Sequence, residues 1–131
     1  MLRYLRINNF AIIDEIEVEF QEGFNVLTGE TGAGKSILIG ALSLILGARG
    51  SQDFIRTGAE ETRVEALFEL TDKSLIPEDL ELEIEDSGEF IISRRIHQNG
   101  RSRCFINGRL TNLSTLETLG KRLVTVFGQH E

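Results

Sequence analysis

The sequence predicts an α/β chain in which antiparallel strands form a large part of the fold. Three observations support this. Several segments alternate apolar and polar residues, one almost entirely apolar segment follows a glycine-rich turn, and two Asn-Gly pairs separate short strand-like runs. The 131 residues suit one domain or a large piece of one, and a hydrophobic fraction of 40% excludes wholesale disorder.

The N-terminal part is predicted to contain strands followed by one buried helix. Residues 2–10 have the composition of a strand, and residues 14–20 alternate between apolar side chains and glutamates. A short strand at 24–28 leads into the glycine-rich turn. The helix is expected from Lys35 to Leu46, with Gly47 and Gly50 marking its end; its apolar residues cover nearly all sides, so it should be buried against a sheet.

The middle of the chain predicts a strand, a loop and then an antiparallel hairpin. Residues 62–70 alternate cleanly, residues 71–80 form a loop, and residues 81–85 alternate again. Asn99-Gly100 lies between two strand-like runs, which predicts a hairpin with a type I′ turn, and Asn107-Gly108 predicts the next reversal.

The C-terminal part predicts one helix and one short strand. Ser114 is expected to cap a helix from Thr115 to Arg122, with Glu117 completing a capping box. The apolar run at 123–127 is then expected to form a short buried strand.

The charges are unevenly distributed along the chain. The net charge of −7 argues against a uniformly basic nucleic-acid binder, but residues 60–89 hold 2 basic and 12 acidic side chains whereas residues 90–131 hold 7 and 2. The single cysteine, Cys104, excludes an internal disulfide, favours a reducing compartment and is expected to be a buried strand residue. The longest apolar run, residues 37–48, is shorter than the roughly 20 residues of a membrane span.

One motif points to chemistry. Residues 29–36 match G-x-x-x-x-G-K-[ST] at every fixed position, between a predicted strand and a predicted helix, which is where a P-loop lies. Glycines let backbone N–H groups surround phosphate oxygens, the helix N-terminus adds partial positive charge, the lysine reaches the β- and γ-phosphates, and the serine hydroxyl suits Mg²⁺. The expected nucleotide-binding residues are Gly29, Glu30, Thr31, Gly32, Ala33, Gly34, Lys35, Ser36 and Ile37.

A hydrolytic acid is not evident. A P-loop nucleoside triphosphatase needs a second acidic residue for Mg²⁺, usually at the end of a hydrophobic strand after the loop. Asp14 follows an apolar run but precedes the loop, so we interpret it as an ordinary strand residue, and the acids at 81–85 alternate as in a half-exposed strand. The sequence therefore predicts a nucleotide site without the acid that hydrolysis requires.

The motifs together resemble a known family. The strand at 2–10, the loop near residue 30, the basic hairpin followed by Asn107-Gly108-Arg109, and the segment 126–131 resemble the first half of an ABC-type ATPase head of the SMC class. Thr31 is typical of the members that act in bacterial DNA double-strand-break repair and recombination. The resemblance covers the whole chain and implies that residues 1–131 are the N-terminal lobe, from Walker A to the Q-loop, of a P-loop head with a mixed sheet and an antiparallel β subdomain.

The resemblance also implies residue roles. ATP and Mg²⁺ are the expected ligands, and Gln129 corresponds to the Q-loop glutamine, which ligates Mg²⁺ and senses the γ-phosphate. Arg56, or less favourably Arg49, is expected to contact nucleotide or DNA across a head dimer. Lys35 and Gln129 are the expected catalytic residues.

Heads of this class are split by a coiled coil, so the missing acid is expected in a C-terminal lobe. The expected partners are that lobe, a second head and DNA, with no membrane, in the cytoplasm at the nucleoid. ATPase activity is expected of the full-length protein, in which ATP-driven engagement of two heads would be coupled to holding DNA. For this chain alone we expect weak Mg-ATP binding and negligible turnover.

The basic cluster leaves two interpretations open. Its arginines could contact DNA phosphates or pair with the acidic residues at 60–89, and Arg94 and Arg95 should point to opposite faces of their strand. A zinc site is disfavoured because His97 and Cys104 lack a second pair of ligands. The cluster comprises Arg94, Arg95, Arg101, Arg103 and Arg109.

Three other functions remain possible from the residues. The first is an ABC-type ATPase of another pathway, such as a transporter subunit. The second is a small P-loop kinase, in which residues 94–109 would form an arginine-rich lid. The third is a non-catalytic interaction module with a vestigial loop, which the intact Lys35 and Ser36 disfavour.

Overall fold

The structure, a computed structural model, describes residues 2–20, 32–70 and 88–128. These residues contain six strands, two α-helices and one 3₁₀-helix. In chain order the elements are β1 (Leu2–Phe10), β2 (Ile13–Glu19), α1 (Gly32–Ile45), the 3₁₀-helix (Gln52–Phe54), β3 (Glu61–Glu69), β4 (Glu89–His97), β5 (Ser102–Ile106), β6 (Arg109–Thr111) and α2 (Leu113–Gly128).

The six strands form one sheet in the order β2-β1-β3-β4-β5-β6, and every pair of neighbours is antiparallel. The predicted antiparallel portion is therefore confirmed, as are the strands predicted at 2–10, 14–20 and 62–70 to within a residue or so. The strand predicted at 24–28 and the segments at 71–80 and 81–85 lie outside the described residues.

The sheet has an inner and an outer face. The inner face carries apolar side chains such as Ile7, Val64 and Ile92, and α1 and α2 contribute buried leucines to the same core. Along β2, β3 and β4, every second residue points to the outer face, and many of these residues are charged. Successive residues of a strand point to opposite faces of the sheet. Both helices therefore pack on the apolar inner face, and the outer face is polar.

The two Asn-Gly turns differ from each other. Gly100 has φ +92°, but Asn99 is not among the described non-glycine residues with positive φ, and the Gly100 N–H donates to the His97 carbonyl over 2.9 Å. This is a three-residue loop with glycine at the left-handed position, so the type I′ prediction for Asn99-Gly100 is wrong. Asn107 (φ +51°) and Gly108 (φ +80°) form the type I′ turn between β5 and β6.

The C-terminal helix corrects two predictions. Asn112, not Ser114, caps α2, since its Oδ1 accepts the Thr115 N–H over 2.8 Å. The helix then continues to Gly128, so the strand predicted at 123–127 is wrong. Leu116, Leu119 and Leu123 are all buried at helical spacing, so Leu123 continues the apolar face of the helix.

The turn after α1 and the helix α2 approach each other closely. A Cβ atom on Gly120 would collide with the carbonyl oxygen of Leu46, and one on Gly47 would lie 2.7 Å from the Glu117 Cα. The two backbones meet where both residues lack a side chain.

Among the described residues, no helix is both long and apolar enough to span a bilayer.

Candidate functional site

The P-loop motif enters the structure at α1. Residues 29–31 lie outside the described residues, and Gly32 is the first residue of the helix, three residues before the predicted start. Lys35 and Ser36 are exposed in the first turns of α1, whereas Ile37 is half-buried against the core. Lys35 and Ser36 thus lie in the first turns of a helix, where the helix dipole places partial positive charge.

The other end of α1 is held by two sets of hydrogen bonds. The Gly47 N–H donates to the Leu44 carbonyl over 3.2 Å and the Ala48 N–H to the Ser43 carbonyl over 2.9 Å. With Gly47 at φ +103° this is a Schellman motif, which confirms the predicted helix end. These bonds are local and close the C-terminal turn of α1.

Arg94 supplies the second set of hydrogen bonds to the C-terminal end of α1. Its Nη1 donates to the Leu44 carbonyl over 2.7 Å and to the Ala48 carbonyl over 2.8 Å, and its Nη2 donates to the Ser102 Oγ over 2.9 Å. The residue is only 1% exposed. Burial lowers the pKa of the Arg94 guanidinium, and the C-terminal dipole of α1 favours the positive charge there.

This placement corrects one candidate. Arg94 is one of the candidates for DNA contact in the sequence, but a phosphate cannot reach a guanidinium enclosed between α1 and β5. The sequence contained a signal for this, because Arg94 lies two residues from Ile92 and two from Ile96 on the apolar side of an alternating strand.

Cys104 lies on the inner face beside this arginine. It is a free, buried cysteine, which confirms the expectation of a buried strand residue. Burial raises the pKa of its thiol, and the nearby Arg94 charge partly opposes that shift.

The outer face of the hairpin carries Arg95 and Arg103, and Arg101 lies in its turn. Arg109 is on β6, directly opposite the buried Ile106, and so is not on this face. Arg95 places its guanidinium carbon 5.2 Å from the centre of the Phe105 ring. A concave pocket of about 260 Å³ lies over the ends of β3, β4 and β5. The residues that line it are Glu61, Arg95, His97, Asn99, Arg101 and Arg103.

The structure does not bring every candidate together. Arg49 is exposed just after α1. The Arg56 guanidinium lies 3.9 Å from an Asp14 carboxylate oxygen, and the Arg56 backbone N–H donates to the Asn9 carbonyl. Gln129 lies outside the described residues. Sequence reasoning missed Phe105 and Glu61 as neighbours of the arginines, because the register that places them there is set by strand pairing.

Comparisons with known proteins agree with this architecture. A model of the AAA domain family matches residues 4–129. DNA repair protein RecN of Bacillus subtilis (strain 168) is 45% identical over 100% of this chain and 23% of the relative. RecN of Vibrio cholerae is 47% identical over 99% of this chain and 24% of the relative. The chain spans about a quarter of the length of these curated relatives.

Solved structures show the same fold. An SMC ATPase studied for ATP-driven dimerization and DNA-stimulated activation superposes with a TM-score of 0.74 at 24% identity, over 92% of this chain and 78% of that one. The Smc head domain of Pyrococcus furiosus gives 0.75 at 23% identity, over 92% and 32%. The recombination mediator RecF bound to ATP gives 0.65 at 26% identity, over 89% and 30%. The predicted SMC-type fold is confirmed, and the chain belongs to the AAA domain family and is similar along its full length to DNA repair protein RecN.

Proposed function

We propose that this chain is the ATP-binding lobe of an SMC-class ATPase head that acts in DNA double-strand-break repair and recombination. The observation that carries the proposal is the position of Lys35 and Ser36, exposed at the N-terminal end of α1 directly after the glycine-rich segment. The similarity to RecN supports a role in DNA repair, and the fold shared with the ATP-bound RecF supports ATP as ligand.

The available groups fit a nucleoside triphosphate. Backbone N–H groups of residues 29–34 would surround the phosphates, and Lys35 would donate to the β- and γ-phosphate oxygens. Ser36 and Gln129 would ligate Mg²⁺, which shields phosphate charge when bound. A hydroxyl and an amide oxygen are suitable ligands for this hard cation, and the Ser36 side chain is exposed on the described part of the helix.

Turnover requires groups from outside this chain. A C-terminal lobe would supply the hydrolytic acid, and a second head would close over the nucleotide, with Arg56 or Arg49 reaching nucleotide or DNA across the dimer. The assembled protein would couple ATP-driven head engagement to holding DNA, in the cytoplasm at the nucleoid. The kinase alternative is disfavoured because residues 94–109 are built into strands β4, β5 and β6 instead of a lid.

The first test is Mg-ATP binding by the 131-residue chain and by its Lys35→Ala variant. Loss of a charge-assisted contact to phosphate is expected to weaken binding by about tenfold or more. Lys121→Ala, which removes a lysine from the exposed face of α2, is the matched control and should bind as the parent does. Equal affinities for all three chains would contradict the proposal.

The second test is hydrolysis. We expect negligible turnover by the chain alone and turnover when the remaining part of a RecN-like head is supplied in trans, with Lys35→Ala abolishing it. Ordinary turnover by the 131 residues alone would mean that a complete active site is present and would favour a small P-loop enzyme.

A further inference from the structure

Three arginines stand side by side on the outer face of the sheet. In the strand register Arg63 is directly opposite Arg95, and Arg95 is directly opposite Arg103. Neighbouring strands lie about 4.8 Å apart, so the three positions form a line about 10 Å long across β3, β4 and β5. We call Arg63, Arg95 and Arg103 the arginine row.

The row is incompletely neutralised within the described part of the chain. Like charges directly opposite each other in a sheet are destabilising. Arg63 is balanced by Glu61 at 3.5 Å and Glu65 at 3.9 Å. No carboxylate among residues 2–20, 32–70 and 88–128 comes within 4 Å of Arg95 or Arg103, and the Arg95 Nε has no hydrogen-bond partner there.

The end of the row opens into the pocket of about 260 Å³. Arg95, Arg101 and Arg103 supply guanidinium groups to it. The His97 Nδ1 accepts the Asn99 N–H over 3.1 Å, which leaves Nε2 as the position that carries hydrogen in the neutral ring. Glu61 is the one carboxylate among the lining residues. The pocket is thus rich in planar, charged hydrogen-bond donors, which suit phosphate oxygens.

We propose that the pocket and the arginine row bind backbone phosphates of a DNA strand that crosses β3, β4 and β5. The inference deepens the proposed function and rests on it for DNA as the macromolecule. Contacts to phosphate carry no sequence information, so binding is independent of base sequence and sensitive to salt. The surface lies on the face of the sheet opposite α1.

The experiment measures binding of fluorescently labelled oligonucleotides, single-stranded and duplex, by anisotropy between 50 and 200 mM salt without ATP. Arg101→Gln and Arg103→Gln alter exposed side chains, and Arg122→Gln on α2 is the control with the same change of charge. Each pocket variant should weaken binding by roughly three- to tenfold and reduce the salt slope by about 0.7–0.9. Arg122→Gln should change neither quantity.

A variant of Glu61 is expected to have the opposite effect on DNA binding. Removing the Glu61 carboxylate leaves the pocket more positive, so Glu61→Gln should tighten DNA binding, by roughly two- to fivefold. Glu19→Gln, an exposed glutamate on the opposite half of the sheet, is its control and should have no effect.

Three results would overturn the proposal. The first is that Arg103→Gln leaves DNA binding intact and lowers the unfolding midpoint, as expected if the acidic segment at 71–87 neutralises the row. The second is that Arg122→Gln and Arg103→Gln weaken DNA binding equally, which would indicate a general charge effect. The third is that inorganic pyrophosphate binds the pocket and neither oligonucleotide does, which would indicate a small-anion site. Because none of these assays contains ATP, their failure leaves the Lys35 result untouched.

Discussion

Arg94 and Arg95 are adjacent in the chain, but β4 directs them to opposite faces of the sheet. Arg94 points inward, is 1% exposed and donates three hydrogen bonds to fixed acceptors. Arg95 points outward, lies over Phe105 and faces other arginines. An arginine therefore stabilises the fold on one face of the sheet and lines a candidate binding surface on the other. The exposure of each arginine and its hydrogen-bond partners distinguish the two roles.

The largest test of this contrast is Arg94→Ala. The substitution leaves a cavity and removes the donor from the Ala48 carbonyl and the Ser102 hydroxyl, so the free energy of unfolding should fall by about 2–4 kcal/mol. Denaturant unfolding measures this change. Arg94→Met, which refills the volume without the hydrogen bonds, should recover part of the loss. A change below about 1 kcal/mol in Arg94→Ala would show that the buried guanidinium is not needed for stability.

A smaller loss of stability is expected from a substitution at the contact between α1 and α2. In Gly120→Ala the added methyl group meets the Leu46 carbonyl, so the variant should lose about 1–3 kcal/mol, although alanine in a helix interior otherwise stabilises by up to about 1 kcal/mol. Arg122→Ala, at an exposed position of the same helix, should change stability by no more than about 0.5 kcal/mol. A more stable Gly120→Ala chain would show that the two backbones can move apart.

The smallest expected effect on stability is a slight gain instead of a loss. Arg103→Gln relieves the repulsion between Arg103 and Arg95, so the thermal unfolding midpoint should stay the same or rise slightly, corresponding to a few tenths of a kcal/mol. The same variant is expected to weaken DNA binding. A clear loss of stability would mean that Arg103 contributes to the fold, and the contrast between the two faces would then fail.

The sequence predicted the strands well because their apolar and polar residues alternate. Val64, Ala66 and Phe68 are buried on β3 as their period of two requires. The predictions failed where local pattern is ambiguous. The segment 123–127, apolar except for Thr125, suits a strand or a helix equally, and the burial of Leu123 in line with Leu116 and Leu119 favours the helix. The two Asn-Gly turns have the same residues, and the register of the flanking strands gives each a different geometry.

The candidate site was predictable to a different extent on each face. The P-loop is a contiguous motif, so Lys35 and Ser36 could be identified by spacing alone. The pocket could not, because Glu61 and Arg103 are 42 positions apart in the chain and meet only through two strand pairings. Arg94 is intermediate: alternation predicts its face, but only the fold reveals its acceptors on α1.

The bonds from Arg94 to α1 join residues that are 50 and 46 positions apart in the sequence. Closing such a separation costs chain entropy, so these contacts form later than the local bonds of the Schellman motif. The chain is synthesised from its N-terminus, and α1 is complete well before Arg94 is added. The C-terminal end of the helix that begins in the P-loop therefore gains its bonds to Arg94 only once β4 has paired with the sheet.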